Sequence, residues 1–557
     1  MIEAIKQNIK DQLEQHFQIE GVVVEEPKKG PADLAIPLFA FAKLWKVSPM
    51  EVYHRFLVVL KNDKSIENIE FTNGFFNIYL NRGPLAKKIL ETIHEQKDHY
   101  GDQTLGDGLT VAMDYSSPNI AKSFGVGHLR STVIGNALKN IYKKMGYQVV
   151  SINHLGDWGT QFGKMIVAYK KWGNEEDVKK NPIAEMQKLY VRFHDEEKVN
   201  PDLEQDARDV FRALEQNDET YTKLWTWFKE ESMREFLDLY DLLGVEFDYY
   251  TGESFYNDKM DAVVEELEAK SLLKVDDGAT IVDLGQDLPP ALIKRSDGAT
   301  LYMTRDIAAL LYRHKTYHTN HVLYVVGNEQ ILHFKQLQAI TNLMGYHFNV
   351  DHINFGLVLI DGKKMSTRGG KFKRLEEVII EAIKEAQEAI SLKNPNLKDQ
   401  DMIAKAVGIG AIIFNDLKNE KHSDIDFNLA NMLKFEGQTG PYLQYSSVRI
   451  ASILRENVLD VNNINTEYFS EDDYFEIIKQ LGQFPNIVAK AQENNAPNLI
   501  ARYIILLAQG FNSFYGKQRI NVEDTLHKNA NLLFIESIQT VINEGLRLLG
   551  IKSLSEM

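Results

Sequence analysis

The chain has 557 residues, of which 44% are hydrophobic and 25% are charged, and its formal net charge is −16. This length is too great for one hydrophobic core, and no apolar run reaches the ~20 residues that a membrane-spanning helix needs. The absence of cysteine excludes disulfides and thiolate metal sites, and the acid-containing N-terminal segment fits neither a secretory signal nor a transit peptide. We therefore expect a multidomain cytoplasmic enzyme that does not bind membranes.

Residues 1–108 predict a small α+β domain. An amphipathic helix opens it, and the runs FLVVL (56–60) and GFFNIYL (74–80) are typical of strands. The turn-rich segment 101–108 marks its end.

A β–loop–α–β unit follows this boundary. LTVAMDY (109–115) predicts a strand, LRSTVIGNALKNIYKKMGY (129–147) a helix that ends near Gly146, and YQVVSINHL (147–155) the next strand. This order predicts a parallel crossover and hence a doubly wound sheet. Further strand-like runs extend that sheet to about residue 370: TIVDL (280–284), ATLYM (299–303), HVLYVVG (321–327) and INFGLVLI (353–360).

The other long stretches are mainly helical. Residues 165–250 are charged and rich in Trp and Tyr, which predicts a helical insertion packed beside the sheet. A helical connector is predicted over residues 376–436, and the last 120 residues or so, from residue 437, show long apolar periodicity typical of helices.

Two basic segments stand out from the acidic background. Residues 111–154 hold five lysines and arginines against Asp114, and residues 352–374 hold six against Asp361. Both segments coincide with glycine-rich loops. Although the net charge argues against general nucleic-acid binding, local charge matters more, so a polyanion is expected to bind at one place.

The chemistry of these loops suits a nucleotide. A glycine-rich turn between a strand and a helix, here SSPNIAKSFGVGH (116–128), lets backbone N–H groups approach phosphate at a helix N-terminus. The second loop, DGKKMSTRGGK (361–371), offers lysine and hydroxyl donors that could clamp a phosphate transition state. Either loop alone could equally be an ordinary surface turn, so their combination carries the argument.

The two loops resemble the HIGH and KMSKS signatures of class I aminoacyl-tRNA synthetases. SSPNIAK…GHLRST (116–132), NHLGDWGTQFG (153–163), LYMTRDI (301–307) and GQTGPYLQY (437–445) resemble, in the expected order, the arginyl-tRNA synthetase family. This resemblance implies a multidomain α/β fold. Residues 1–108 would form an α+β tRNA-contacting domain, 109–375 a Rossmann-type catalytic domain, and 437–557 an all-helical anticodon-binding domain.

The resemblance also implies an activity and its partners. The enzyme would join L-arginine to ATP, release pyrophosphate, and transfer the arginyl group from the adenylate to the 3′ end of tRNA(Arg), releasing AMP. Mg²⁺ would accompany the ATP, carried mostly by phosphates and water, with no protein-bound structural metal. We expect a monomer whose partners are tRNA(Arg), arginine and ATP, and which does not bind DNA.

Site residues follow from the same resemblance, motif by motif. The catalytic residues would be Lys122, His128, Lys364 and Ser366; the ATP-binding residues Gly125, Gly127, His128, Lys364 and Met365; and the arginine-binding residues Ser117, Asn119, His128, Tyr302, Asp306 and Gln330. Asp306 is a natural partner for the guanidinium, because a carboxylate accepts two parallel hydrogen bonds from it. Asn77, Tyr442 and Phe514 are the candidates for tRNA contact, although aromatics at helical spacing are more often core residues. Asp157 would order the site or touch substrate, and Trp158 is expected to be structural.

Two positions depart from the family signatures. Gly125 stands where HIGH has its first histidine, and Thr367 stands where KMSK has its second lysine. Arginyl enzymes commonly show the second departure together with a lysine before the HIGH loop, here Lys122. Gly125 leaves open a catalytically impaired, tRNA-binding regulatory paralogue, and a small-molecule adenylyltransferase is a third hypothesis that leaves the RNA-binding ends unexplained.

Overall fold

A computed structural model describes residues 1–27, 30–122, 124–296, 301–360, 362–364 and 374–557, with backbone alone at 360, 363 and 364. Its strands are β1 (Leu34–Pro37), β2 (Ile66–Thr72), β3 (Phe75–Leu80), β4 (Thr110–Asp114), β5 (Gln148–Ile152), β6 (Leu273–Asp276), β7 (Ala279–Val282), β8 (Ala291–Lys294), β9 (His321–Tyr324), β10 (Asn349–His352), β11 (Val358–Ile360), β12 (Lys363–Lys364) and β13 (Ile425–Asp426).

The helices follow the same chain order. They are α1 (Ile2–Phe17), α2 (Phe39–Trp45), α3 (Pro49–Leu60), α4 (Arg82–Gln96), α5 (Val126–Lys144), α6 (Thr160–Trp172), α7 (Glu175–Lys180), α8 (Pro182–Glu197), α9 (Asp202–Glu215), α10 (Glu219–Leu243), α11 (Met260–Ala269), α12 (Tyr302–Tyr317), α13 (Ile331–Leu343), α14 (Leu375–Lys393), α15 (Gln400–Leu417), α16 (Leu429–Met432), α17 (Gly440–Arg455), α18 (Asp472–Glu493), α19 (Asn498–Lys517) and α20 (Thr525–Leu548). Of the helices described, none has a stretch long and apolar enough to cross a bilayer.

The N-terminal region is an α+β unit in which β1, β3 and β2 form an antiparallel sheet in that order. The opening helix is α1, and GFFNIYL forms β3, as predicted. The strand prediction for FLVVL is wrong, because these residues end α3. Ser48 caps α3 by accepting a backbone hydrogen bond, and Val52, Phe56 and Leu60 are buried at four-residue spacing. Helical periodicity therefore outweighs the β-propensity of the valines.

The predicted doubly wound sheet is confirmed. Strands β10, β9, β4 and β5 lie in this order and pair in parallel, and α5 connects β4 to β5. Helix α5 begins three residues earlier than predicted, because Gly125 occupies its N-cap position. In the sheet, β5 lies on one side of β4 and β9, which comes later in the chain, lies on the other side. The carboxyl ends of β4 and β9 therefore flank the crevice where ligands bind in such folds.

The main sheet is smaller than the sequence predicts. TIVDL contributes β7, which pairs with β6 and β8 in a separate antiparallel sheet, and INFGLVLI contributes β11, which pairs with β12 and β13. The described part of ATLYM begins α12 instead of a strand, because Met303, Ile307 and Leu310 are buried at helical spacing. Residues 299 and 300 lie outside the described residues. Strand β10, which the sequence did not single out, completes the main sheet.

The helical regions share a core with the sheet. Helices α6–α10 form the predicted insertion, and α17–α20 form the predicted C-terminal helical region. One cluster of buried residues runs from Ala86 to Ile551 and includes residues of β4, α5 and the C-terminal helices. Because α5 belongs to this cluster, its position is set jointly by the sheet and by the C-terminal region.

A buried ion pair fastens the end of α5 to the C-terminal region. The Lys144 ammonium lies 2.9 Å from Glu544 Oε1 on α20 and 2.5 Å from Asp102 Oδ1, and it donates to the Asp98 carbonyl at 2.6 Å. The side chains of Lys144 and Glu544 are each only 2% exposed, so this pair is shielded from solvent. Arg547 also binds Glu544.

Replacing Lys144 with alanine is expected to destabilise the protein. Removing one partner of a buried pair costs about 3–5 kcal/mol, and we expect the lower end because Arg547 still compensates Glu544. The neighbouring Lys143 is exposed and serves as the control, so Lys143→Ala should leave the urea denaturation midpoint unchanged. Equal midpoints for the two variants would show that the ion pair does not hold α5 in place.

Candidate active site

The loop after β4 is held in an uncommon backbone conformation. Ser116, Ser117 and Ala121 have φ of 73°, 47° and 62°, in the left-handed region that side chains rarely adopt. The Ser116 N–H donates to Ser131 Oγ on α5 at 2.8 Å, which fixes the loop to the helix that follows it. Such strain persists only where the surroundings enforce it, and it concentrates at functional sites.

The start of α5 presents a neutral histidine and an open backbone. The His128 N–H donates to the Gly125 carbonyl at 2.9 Å, and the Gly125 N–H donates to His128 Nδ1 at 3.1 Å. Burial lowers the pKa of His128, and the nearby Lys122 charge lowers it further. Since Nδ1 accepts, Nε2 carries the proton and is a neutral donor. A Cβ at Gly127 would meet no atom within 4 Å, so a ligand can approach the backbone there.

The flanks of the second loop lie against the first loop. Gly125 forms an antiparallel bridge with Arg374, and the Leu375 N–H donates to the Phe124 carbonyl at 3.0 Å. On the other flank, β12 pairs with β11. Met365, Ser366 and Thr367 lie outside the described residues, as does the Lys364 side chain. Their predicted contacts with ATP therefore stay predictions.

The prediction that the first basic segment binds a polyanion needs correction. Arg130, Lys139 and Lys144 are buried. Arg130 donates to the Ser423 carbonyl at 2.7 Å, and Lys139 donates to the Glu246 carbonyl at 2.8 Å. Within the described part of this segment, the exposed cations are Lys122 and Lys143. The three buried cations hold α5 in the fold, so their number says little about a bound anion.

Two predicted arginine-site residues border the crevice on the β4 side. Ser117 Oγ donates to Asp114 Oδ1 at 2.9 Å, and Asn119 bridges to Gly156 of the LGDWG segment. Sequence reasoning missed Arg313 on α12, which donates to Asp114 Oδ2 at 2.7 Å and is buried. The only sequence signal is that Arg313 follows Asp306 by seven residues, which places both on one face of a helix.

Asp306 lies on α12 with its carboxylate held by His333. Its Oδ2 is 2.5 Å from His333 Nε2. Burial alone would raise the pKa of Asp306, but this hydrogen bond and the charges of His333, His154 and Arg313 lower it, so the carboxylate is ionised at neutral pH.

Tyr302 is 64% exposed in the first turn of the same helix. Gln330 is exposed after β9, three residues before His333. Within the described part of the chain, Asp306 makes no hydrogen bond to Tyr302 or Gln330.

Asp157 lies in a buried hydrogen-bond network after β5. It is fully buried, and its two carboxylate oxygens accept hydrogen bonds from the N–H and the hydroxyl of Ser254, with Lys229 Nζ 2.6 Å from Oδ2. These contacts favour a role for Asp157 in ordering the site over direct contact with substrate. Trp158 packs against Trp225 and Phe211, as expected for a structural residue.

Three family descriptions match the chain in sequence order. "Arginyl tRNA synthetase N terminal domain" matches residues 1–80, "tRNA synthetases class I (R), catalytic domain" residues 89–429, and "DALR anticodon binding domain" residues 443–557. The relative named arginine–tRNA ligase in Exiguobacterium sibiricum is 49% identical, with 96% of this chain and 95% of that relative covered. The relative of the same name in Exiguobacterium sp. AT1b is 48% identical, with 97% and 96% covered. The chain belongs to the arginyl-tRNA synthetase family.

Solved structures agree on the fold of this family member. Thermus thermophilus arginyl-tRNA synthetase superposes with a TM-score of 0.83 at 23% identity, and 100% of both chains is covered. The arginyl-tRNA synthetase of Plasmodium falciparum gives 0.82 at 24% identity, with 100% of this chain and 99% of that chain covered. The class I catalytic fold and the helical C-terminal region are therefore those of arginyl-tRNA synthetases.

The predicted tRNA contacts of this synthetase fall in different environments. Asn77 on β3 lines a cavity of about 570 Å³ with Tyr79, Glu25 and Glu26. Tyr442 is half-buried, and its hydroxyl accepts from Asn512 at 3.0 Å.

Phe514 is a core residue. It is 3% exposed and packs against Tyr474 and Phe534 at 4.8 and 4.9 Å between ring centroids. It therefore offers no free face to a base, and we do not retain it as a tRNA contact.

The sequence analysis did not predict an exposed cluster of two tyrosines and an arginine in the C-terminal region. The Arg449 guanidinium lies over the rings of Tyr445 and Tyr515, 5.0 and 5.2 Å from their centroids, and these tyrosines are 37% and 40% exposed. The spacing Tyr445–Arg449 on α17 was the available signal, since residues four apart share a helix face. Such a surface can stack unpaired bases.

The carboxyl group of Glu253 has an unusual affinity for protons. Burial raises its pKa to about 7; Arg305, 3.8 Å away, opposes this, and the charges of Asp157 and Asp306 add to it. Because the folded-state pKa exceeds the unfolded value, Glu253 costs the protein stability as pH rises from about 4.5 to above 7.

Glu253→Gln should remove this pH dependence. We expect the variant to unfold like the wild type at pH 5 and to be more stable than it at pH 8, by about 1–3 kcal/mol. Urea denaturation of both proteins at the two pH values measures the difference. The stability difference between the variant and the wild type should be larger at pH 8 than at pH 5. A smaller difference at pH 8 would contradict the sign of this argument.

Proposed function

We propose that this protein is an arginine–tRNA ligase. It activates L-arginine with ATP to arginyl-adenylate, releasing pyrophosphate, and transfers the arginyl group to the 3′ end of tRNA(Arg), releasing AMP. The observation that carries the proposal is the ionised Asp306, held at the crevice by His333 in a chain related over nearly its full length to arginine–tRNA ligases. An ionised carboxylate can take a planar guanidinium through two hydrogen bonds, which a lysine ammonium cannot reproduce.

ATP is proposed to bind at the start of α5. Backbone N–H groups near Gly127 and the helix N-terminus favour phosphate there, and neutral His128 can donate from Nε2 without adding charge. Lys122 and Lys364 would supply positive charge from the two loops as the pyrophosphate leaves. Mg²⁺ would arrive with ATP, bound by phosphate oxygens and water. Among the residues that the structure describes, no cluster of three or more His, Asp or Glu is placed to hold a metal.

Arginine is proposed to span the crevice between β4 and α12. Ser117 and Asn119 would meet its amine and carboxylate, and Asp306, with Tyr302 and Gln330, its guanidinium. Asn77 at one end of the chain, and Tyr442 with the Tyr445–Arg449–Tyr515 cluster at the other, would contact tRNA(Arg). A monomeric state and a cytoplasmic location stay predictions from the sequence.

The alternative of a regulatory paralogue is not favoured, because the relatives at 46–49% identity are named arginine–tRNA ligases. Matches to the N-terminal domain and to the anticodon-binding domain likewise disfavour a small-molecule adenylyltransferase. Charging of bulk tRNA with tritiated arginine, measured together with tRNA binding and ATP consumption, separates the three functions. The paralogue binds tRNA without charging it, and the adenylyltransferase consumes ATP without labelling tRNA.

Asp306→Ala should weaken arginine binding specifically. Breaking a desolvated charge pair from one side costs about 2–5 kcal/mol, so the arginine KM should rise about 30-fold to a few thousand-fold while the ATP KM stays unchanged. Asp351 is the matched control, because it pairs with His321 through the same atoms at 2.8 Å. Asp351→Ala should leave both KM values unchanged. An unchanged arginine KM in Asp306→Ala would remove Asp306 from the site.

Gly125 and His128 should differ sharply in their sensitivity to substitution. Gly125 has φ −88°, which histidine can adopt, and it contributes its backbone N–H; Gly125→His should therefore change kcat within about tenfold. His128→Ala removes the Nε2–H donor and the Nδ1 acceptor that holds the Gly125 N–H, and we expect kcat to fall at least about 100-fold. Both variants are compared with the wild type by tRNA charging. An inert wild type that Gly125→His activates would favour the regulatory paralogue.

A further inference from the structure

Two histidine–aspartate pairs have the same atomic pairing, one beside the main sheet and one within it. His333 Nε2 is 2.5 Å from Asp306 Oδ2, and His321 Nε2 is 2.8 Å from Asp351 Oδ2. Their exposures are also similar, at 20% and 25% for the first pair and 24% and 34% for the second. Only the first pair contains a residue of the proposed arginine site. The second pair therefore shows what such a contact contributes to the fold alone.

The direction of the His333 hydrogen bond follows from the charge of its partner. The lowered pKa of Asp306 keeps this carboxylate ionised at neutral pH, so both of its oxygens can only accept. The proton must therefore reside on His333 Nε2, which donates. A carboxylate has about four acceptor positions, of which His333 uses one, and a bidentate guanidinium needs two. His333 and an arginine ligand can thus share Asp306.

The imidazole of His333 is itself fixed by the aromatic core. It stands in the first turn of α13 and meets Phe334 edge-on, with 5.4 Å between ring centroids and 84° between planes. Phe334 packs in turn against Tyr324 and His352, each at 4.6 Å. The donor therefore packs against one buried ring, that of Phe334, whereas the terminal torsion of an aspartate is intrinsically broad. Because the terminal torsion of Asp306 is soft, a hydrogen bond from the His333 Nε2–H restricts the orientation of the Asp306 carboxylate plane.

We infer that His333 is the positioning residue for arginine recognition: its Nε2–H holds Oδ2 of Asp306 so that the remaining acceptor positions meet the guanidinium. This inference rests on the proposed function. Gln330, which we propose as a further contact of the guanidinium, is the N-cap residue of the same helix. Preorganising the carboxylate removes an ordering cost from arginine binding. His333 itself does not touch the substrate.

The test compares three variants in the full-length enzyme with tRNA present. His333→Leu removes the donor, and His333→Gln returns an N–H at the end of a side chain of similar reach. His321→Leu is the matched control, because it removes the equivalent donor from Asp351. The arginine KM, the ATP KM and kcat are measured by tRNA charging, and the thermal midpoint is recorded for each protein.

The expected result is selective. His333→Leu should raise the arginine KM about 10- to 100-fold with the ATP KM unchanged, as expected for loss of one hydrogen bond to a charged group. His333→Gln should return the arginine KM to within about threefold of the wild type. His321→Leu should change neither KM, whatever it does to the thermal midpoint.

Other results overturn the inference. An arginine KM that is unchanged in His333→Leu, or that falls, would mean that His333 does not position Asp306 or that it competes with the guanidinium. Parallel rises in both KM values, matched by His321→Leu, would show a structural role only. If His333→Leu does not fold, His333→Asn replaces it, since asparagine is one carbon shorter than glutamine. Equal arginine KM values for the Asn and Gln variants then refute the inference.

The two proposals fail in different ways. A wild-type protein that does not attach arginine to tRNA refutes the proposed function. A wild-type protein that charges normally, together with a raised arginine KM in Asp306→Ala and normal values in His333→Leu, refutes only the positioning role of His333.

Discussion

The burial of helix α5 on several sides is the constraint on which the rest of this structure depends. Buried polar side chains of such a helix need partners, and three of them tie α5 to different elements. Ser131 donates to the Val325 carbonyl after β9, Arg130 pairs with Asp416 on α15, and Lys144 pairs with Glu544 on α20. The N-terminus of the same helix carries Gly125 and His128. The nucleotide loop is therefore positioned by contacts that extend from the sheet to the C-terminal helices.

The proposed arginine side of the crevice depends on α12 in a similar way. Arg313 joins α12 to Asp114 at the end of β4, and Asp114 also accepts from Ser117 in the strained loop. A partner removed from such a buried pair leaves an uncompensated charge, which costs more than the pair contributes. Asp306 stands two turns before Arg313 on this helix, so one ion pair connects the proposed sites for the two ends of the substrate.

Two acids near this crevice differ in their affinity for protons because their surroundings differ. Hydrogen bonding and positive neighbours lower the pKa of Asp306, whereas burial raises that of Glu253 to about 7. The proposed site can thus keep a negative charge on Asp306 for a guanidinium while Glu253 binds a proton more readily. Such separation of carboxyl groups by environment is common at functional sites. It depends on distances between residues far apart in the chain.

The sequence by itself determined the family, the parallel sheet, the helical C-terminal region and the motif residues, because those features are encoded in local periodicity and in short words such as GVGH and LYMTRDI. Only the tertiary structure decided that FLVVL is helical, that Phe514 is core, that three of the five cations in residues 111–154 are structural, and that Arg313 contacts Asp114 and His333 contacts Asp306. Local propensity cannot report burial or a partner that is distant in sequence. His333 and Asp306 are 27 residues apart, and they meet only because α12 and α13 pack beside the same sheet.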